Sequence, residues 1–200
     1  MIRSALVAAG FSLLIACAAS ADPVTHDPLK APAGTYELDK RHASLVVKIP
    51  HMGGFSRYTM RFDALAGGFT YDPAAWQTTK VTITVDPRSI DTGDANFNKQ
   101  VAGYFHPEKY PEITFVSTSL AQTGDGQGKL SGDLTFNGVT KPVVLDVTFN
   151  GAGPGLLGAG TRMGFSGAGR IKRSDFGVDA VRGYAGDDVD LLFEVEFVKK

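Results

Sequence analysis

Four histidines, His26, His42, His51 and His106, are the residues of this chain best suited to proton transfer or metal ligation. They show no metal-ligand spacing such as a pair at i and i+4, so no metal is expected. Gly164 to Ala168 resembles the elbow that presents a catalytic serine, but it ends in Ala and lies within a strand-like run. Ser166 is therefore read as an ordinary strand serine. Gly153 to Gly158 matches the dinucleotide fingerprint by letters, yet Ala159 to Gly167 cannot make the helix whose N-terminus would hold a pyrophosphate. Asp187, Asp188 and Asp190 lack the glycine and distal glutamate of a calcium loop and read as a solvated acidic turn. No catalytic residue emerges. Two polar residues are singled out by phase instead: His51 follows Leu45, Val47 and Ile49 on one strand face, and Arg173 follows Phe165 and Ile171. A charge at the inner end of an apolar face needs a partner, either an ion pair with a residue such as Asp175 or a polar ligand head.

The elements that position these residues are almost all strands. Val189, Leu191, Phe193, Val195 and Phe197 alternate with acidic residues, and Val81, Ile83 and Val85 alternate with Thr82 and Thr84. Leu134 and Phe136 are followed by Asn137 and Gly138, then by Val143, Leu145, Val147 and Phe149. That pattern predicts a hairpin, since Asn-Gly tolerates the positive φ angles of a primed turn. Pro142 has no backbone donor, which places it at a strand start or an edge. About eight strands at short spacing predict an all-β fold, an extended antiparallel barrel or a sandwich. One short helix is expected over 94–104, where Phe97, Val101 and Tyr104 recur at spacings of four and three and Asp94 can cap. The large apolar residues Phe62, Phe97, Phe115, Phe136 and Phe165 are the candidates for an interior that is either packed or holds one elongated ligand.

Residues 1–21 read as a signal peptide, with a cationic start at Arg3, an apolar run from Ala5 to Ile15 and the small-residue signature Ala19-Ser20-Ala21. This predicts export to the periplasm. Leu14-Ile15-Ala16-Cys17 also reads as a lipobox, which would acylate Cys17 and anchor the protein; without it, membrane contact is expected to be transient. Residues 22–34, with Pro23, Pro28 and Pro32, read as a tail, and 35–200 as one domain. Cys17 is the single cysteine, so the domain must be held by its core and has no thiol nucleophile. The chain has 20 basic and 21 acidic residues, interspersed, without the clustered cations that nucleic acid requires.

Six blocks in order carry a resemblance: Tyr36 to Asp39 with His42, His51 to Phe55, Ser89 to Thr92, Lys109 to Phe115 with Ser117, Leu130 to Lys141, and Ile171 to Gly177. From about Gly34 onward the chain resembles the YceI-like family of exported, lipocalin-like bacterial proteins. The resemblance implies an extended eight-stranded antiparallel barrel around a long apolar tunnel that holds a polyisoprenoid or similar amphiphile, with no established enzymatic activity. By matched motif it places His51, Phe55, Arg173 and Phe176 at the ligand region, and it makes a homodimer an expected state. Many members carry an Arg-Asp pair, then His and Leu, after the Ser-Ile-Asp-Thr block, where this chain has Asn96 to Val101.

The leading expectation is thus a periplasmic carrier of an isoprenoid quinone or polyprenyl phosphate, with no cofactor beyond such a lipid. The alternatives are a stress-related or redox accessory protein with a solid barrel and a protein partner, and a lipid-acting hydrolase working through His51 or Ser166.

Overall fold

The computed structural model describes residues 24–200, so the expected signal peptide and Cys17 lie outside the described residues. Ten strand segments follow in order: β1 (Gly34–His51), β2 (Ser56–Phe62), β3 (Leu65–Tyr71), β4 (Val81–Val85), β5 (Ile90–Asp91), β6 (Ile113–Gly124), β7 (Gln127–Phe136), β8 (Val139–Pro154), β9 (Thr161–Lys172) and β10 (Asp188–Lys199). All pair antiparallel.

The sheet closes because β1 pairs with β10 along one edge, from Tyr36 opposite Lys199 to Lys48 opposite Asp190. Its other edge is shared. Residues 34–37 pair with β3 and residues 45–51 with β2, so β2 and β3 together act as one strand broken at Asp63 and Ala64. β4 and β5 are broken in the same way around the turn Pro87–Ser89. Eight wall positions result, and the expected barrel is the observed one. A register shift between Leu38 and Ala43 bends β1 at the level of the break, as bulges do where a barrel wall must turn.

Period-two alternation decides what the wall encloses. The inward face of β10 carries Val189, Leu191, Phe193, Val195 and Phe197, while Glu194 points outward to Ser166. Near one end Tyr36, Phe69, Phe165 and Phe197 pack ring on ring, with centroids 4.8 Å apart for Phe69 and Phe197. Residues 24–34, expected as a tail, lie against this end, where Thr25 forms an antiparallel bridge with Ala152 and Pro28 accepts the Tyr71 hydroxyl at 2.6 Å.

The Asn-Gly hairpin forms as its residues require. Asn137 and Gly138 have φ of 51° and 75°, the pair of positive values that a primed turn needs. Pro142 sits within β8 opposite Asp133, but β9 joins β8 only from Leu145 onward, so Pro142 faces a local edge. Helix α1 (Ala95–Gly103) lies between β5 and β6, capped by the Asp94 carboxylate, which accepts from the amides of Asn96 and Phe97.

Candidate functional site

The barrel encloses a cavity of about 490 Å³ with an almost wholly apolar lining. Each wall strand contributes its inward residues, among them Leu45, Val47 and Ile49 from β1, Met60 and Phe62 from β2, and Leu191 and Phe193 from β10. The cavity reaches the surface at the end where β1 finishes and β10 starts. There it is bordered by Phe97 on α1 and by Val181 and Tyr184 on the loop of residues 177–187, side chains that are also exposed to solvent. A chain with apolar length and a polar end fits this shape, because the interior offers few hydrogen bonds and the mouth opens to solvent.

His51 stands at the mouth, the last inward residue of β1, bordering the cavity as its phase predicts. Its ring lies 6.2 Å from that of Tyr58, which meets Phe97 edge-on at 5.9 Å, and it makes no hydrogen bond among the described residues. Half-buried and without a partner, this imidazole is the polar group most available to a ligand head.

Arg173 also borders the cavity, but its donors are already engaged. The strand ends at Lys172, and the side chain, 9% exposed, reaches into the 177–187 loop. Nε donates to the Gly186 carbonyl at 2.8 Å, Nη1 to those of Val178 and Ala180 at 2.7 Å each, and Nη2 to that of Ala185 at 3.0 Å. The ion pair with a residue such as Asp175, one of the two readings of this position, is not formed: four backbone carbonyls solvate the guanidinium in its place. The loop is fastened further by Ser174, which donates to the Asp187 carboxylate, and by the Met52 amide, which donates to the Tyr184 carbonyl.

Of the phenylalanines picked from sequence, Phe62, Phe97, Phe115, Phe136 and Phe165 line the cavity. Phe55 and Phe176 do not. Phe55 follows Gly53 and Gly54, whose φ values of 71° and 105° break the strand phase, and its side chain projects outward, 87% exposed. Phe176 is 1% exposed and packs in the core against Phe136, with ring centroids 5.8 Å apart, without bordering the cavity, while its carbonyl accepts from the Asn137 side chain. Tyr58, Tyr104, Val181 and Tyr184 also line the cavity. Tyr58 on β2 and Tyr104 just past α1 follow from strand and helix phase, but nothing in residues 177–187 marks them as a lining segment.

The polar residues considered for other chemistry have structural partners. Ser166 faces outward between Asn150 and Glu194, with hydrogen bonds of 2.6 Å to each, and among the described residues no histidine hydrogen-bonds it; His26 bonds the Asn150 carbonyl instead. Asp187 accepts from Ser174, Asp188 pairs with Lys172, and Asp190 pairs with Arg57 and Arg170. Asp39, His42 and Glu196 come together on the outer wall, but the Arg162 guanidinium already holds both carboxylates, at 2.7 and 2.8 Å. The hydrogen bonds from His42 and then Arg162 keep the Asp39 carboxyl well below the usual carboxylate range.

A family model described as the YceI-like domain matches residues 36–197. A UPF0312 protein from Vibrio cholerae serotype O1 is 38% identical over 177 residues, covering 86% of this chain and 92% of the relative. Among solved structures, Burkholderia cenocepacia BcnA superposes with a TM-score of 0.69 at 28% identity, covering 80% of this chain and 98% of that one. A polyisoprenoid binding domain from Saccharophagus degradans, implicated in plant cell wall breakdown, superposes with a TM-score of 0.64 at 19% identity, covering 84% and 100%; it shares the fold. With its family model spanning the whole barrel and a relative matched along most of its length, the chain belongs to the YceI-like family.

Proposed function

We propose that this protein is a non-enzymatic carrier that holds one isoprenoid chain in its barrel, head group at the mouth, and shields it from water in the periplasm. The observation that carries the reading is the apolar cavity open beside His51. Burial of hydrocarbon is worth about 0.8 kcal/mol per CH₂, so a chain of several isoprene units outweighs the ordering it requires. The fold neighbour from Saccharophagus degradans, a polyisoprenoid binding domain, supports the same ligand class.

The mouth favours a neutral head over a phosphate. A phosphate dianion needs cations, and Arg173, the cation bordering the cavity, gives four of its N–H groups to loop carbonyls. His51 can donate to a carbonyl, or donate to or accept from a hydroxyl, which suits an isoprenoid quinone. The solid-barrel alternative is disfavoured by the cavity itself, and a hydrolase working through Ser166 by that residue's outward setting.

The test is mass spectrometry of organic extracts from protein purified without detergent, followed by titration with isoprenoid quinones. A co-purifying isoprenoid, or saturable binding of the quinone, is expected. Finding neither would remove the carrier reading.

A further inference from the structure

The inward face of β9 reads Phe165, Gly167, Gly169, Ile171, so two positions of an apolar wall carry no side chain. The residue opposite Gly167 on β10 is Phe193. A Cβ at Gly167 would lie 2.6 Å from Phe193 Cε2 and closer still to Cζ, so the ring occupies the space that a side chain at 167 would take. On β7 the inward position between Leu130 and Leu134 is Gly132, and a Cβ there would lie 2.5 Å from Phe115 Cζ and 2.6 Å from both its Cε2 and the Val116 carbonyl oxygen. Neither glycine has the positive φ that would itself demand glycine; what the wall needs at both positions is room. Phe115 and Phe193 both border the cavity.

We propose that Gly132 and Gly167 are notches that lay these two rings along the wall and thereby set the bore of the cavity, selecting chains by cross-section. With the notches open, a methyl-branched chain passes; with a notch filled, the ring turns into the lumen and leaves a passage suited only to an unbranched chain. Close-packed interiors have no spare volume to absorb a displaced ring, so the displacement is delivered to the cavity. The inference rests on the isoprenoid-carrier reading and names the residues that fit the barrel to that chain.

The test compares two alcohols with the same head and main-chain length, all-trans-geranylgeraniol and hexadecan-1-ol, by displacement of a fluorescent fatty alcohol. Gly167→Ala is expected to weaken geranylgeraniol by at least about 10-fold and hexadecan-1-ol by less than about 3-fold. Adding Phe193→Leu to Gly167→Ala is expected to restore geranylgeraniol binding. A Cβ at 167 also approaches the Asp146 carbonyl at 2.7 Å, and both alanine proteins share that contact, so the rescue isolates the ring. Phe193→Trp, which leaves the glycine backbone untouched and puts a larger ring over the notch, should show the same selective loss if Gly167→Ala does not fold. Equal weakening of both alcohols, no weakening, or failure of the rescue would overturn the proposal. Wild-type protein that binds neither alcohol would overturn the carrier reading itself.

Discussion

Replacing Arg173 by Met keeps much of the aliphatic volume and removes four hydrogen bonds to the carbonyls of Val178, Ala180, Ala185 and Gly186. At about 1 kcal/mol net for each bond, the loop loses roughly 4 kcal/mol. Partial rehydration of carbonyls beside the exposed Val181 and Tyr184 returns some of it, leaving about 3 kcal/mol. The bonds lie within one loop, so this energy governs local opening of residues 177–187 more than unfolding of the barrel. An opening equilibrium shifted by about 3 kcal/mol is on the order of 100-fold more populated. Limited trypsin digestion reads it directly at Arg182, whose side chain is 70% exposed and held only by Asp179. Cleavage after Arg182 should accelerate by about two orders of magnitude, with cooperative urea unfolding of the barrel retained. An unchanged cleavage rate would refute the reasoning, showing that water satisfies those carbonyls as well as the guanidinium does.

Three further outcomes are expected. Asp39→Asn should lower the melting temperature at neutral pH and flatten its fall on acidification: the native carboxyl is held below its unfolded value, so its stabilisation is present above the usual carboxylate range and lost as pH drops through and below that range. Melting curves of both proteins between neutral pH and strongly acid pH check this, and parallel curves would contradict it. Phe55→Ser should change stability by less than about 0.5 kcal/mol and leave ligand occupancy unaltered, because the ring is exposed and off the cavity; urea denaturation and extract mass spectrometry measure the two. His51→Leu should weaken an isoprenoid quinone by about 10-fold, the worth of one hydrogen bond in a sheltered site, while leaving a head-less polyprene hydrocarbon within about 2-fold; equal effects on both would show that the imidazole does not meet the head.

Much of the fold was legible because its information is local. Alternation in β7, β8 and β10 fixes which residues face inward, Asn137 and Gly138 announce their turn, and Asp94 announces the start of α1. The pairing of Tyr36 with Lys199 was not legible: closure is a long-range fact with no signature in either strand. His51, Phe62, Phe115, Phe136 and Phe165 were found because phase survives to those positions, and Phe97 because helical spacing does. Phase failed at Phe55, where two left-handed glycines intervene, and at Phe176, where the strand has already given way to a 3₁₀ turn. Arg173 borders the cavity as expected, but it opens the 3₁₀ turn just beyond its strand, and its partners are backbone carbonyls, which every residue possesses and no residue type reveals. The notches at Gly132 and Gly167 read in sequence as gaps in an alternation; only the neighbouring strands show what fills them.

The edge of β1 that meets β10 also has a consequence in time. Its partner β10 is the last strand of the barrel in chain order, so the wall cannot close before β10 is available. Until then β1 and β9 each present an unpaired edge, and the closing contact joins the first and last strands of the barrel. Such non-local pairing places folding in the slow, millisecond-to-second regime of β-proteins and leaves the intermediate open to edge-to-edge association. The final zipper of β10 onto β1 is the step at which the cavity becomes a compartment, and an apolar chain already lying on the open sheet at that moment would be enclosed without threading the mouth.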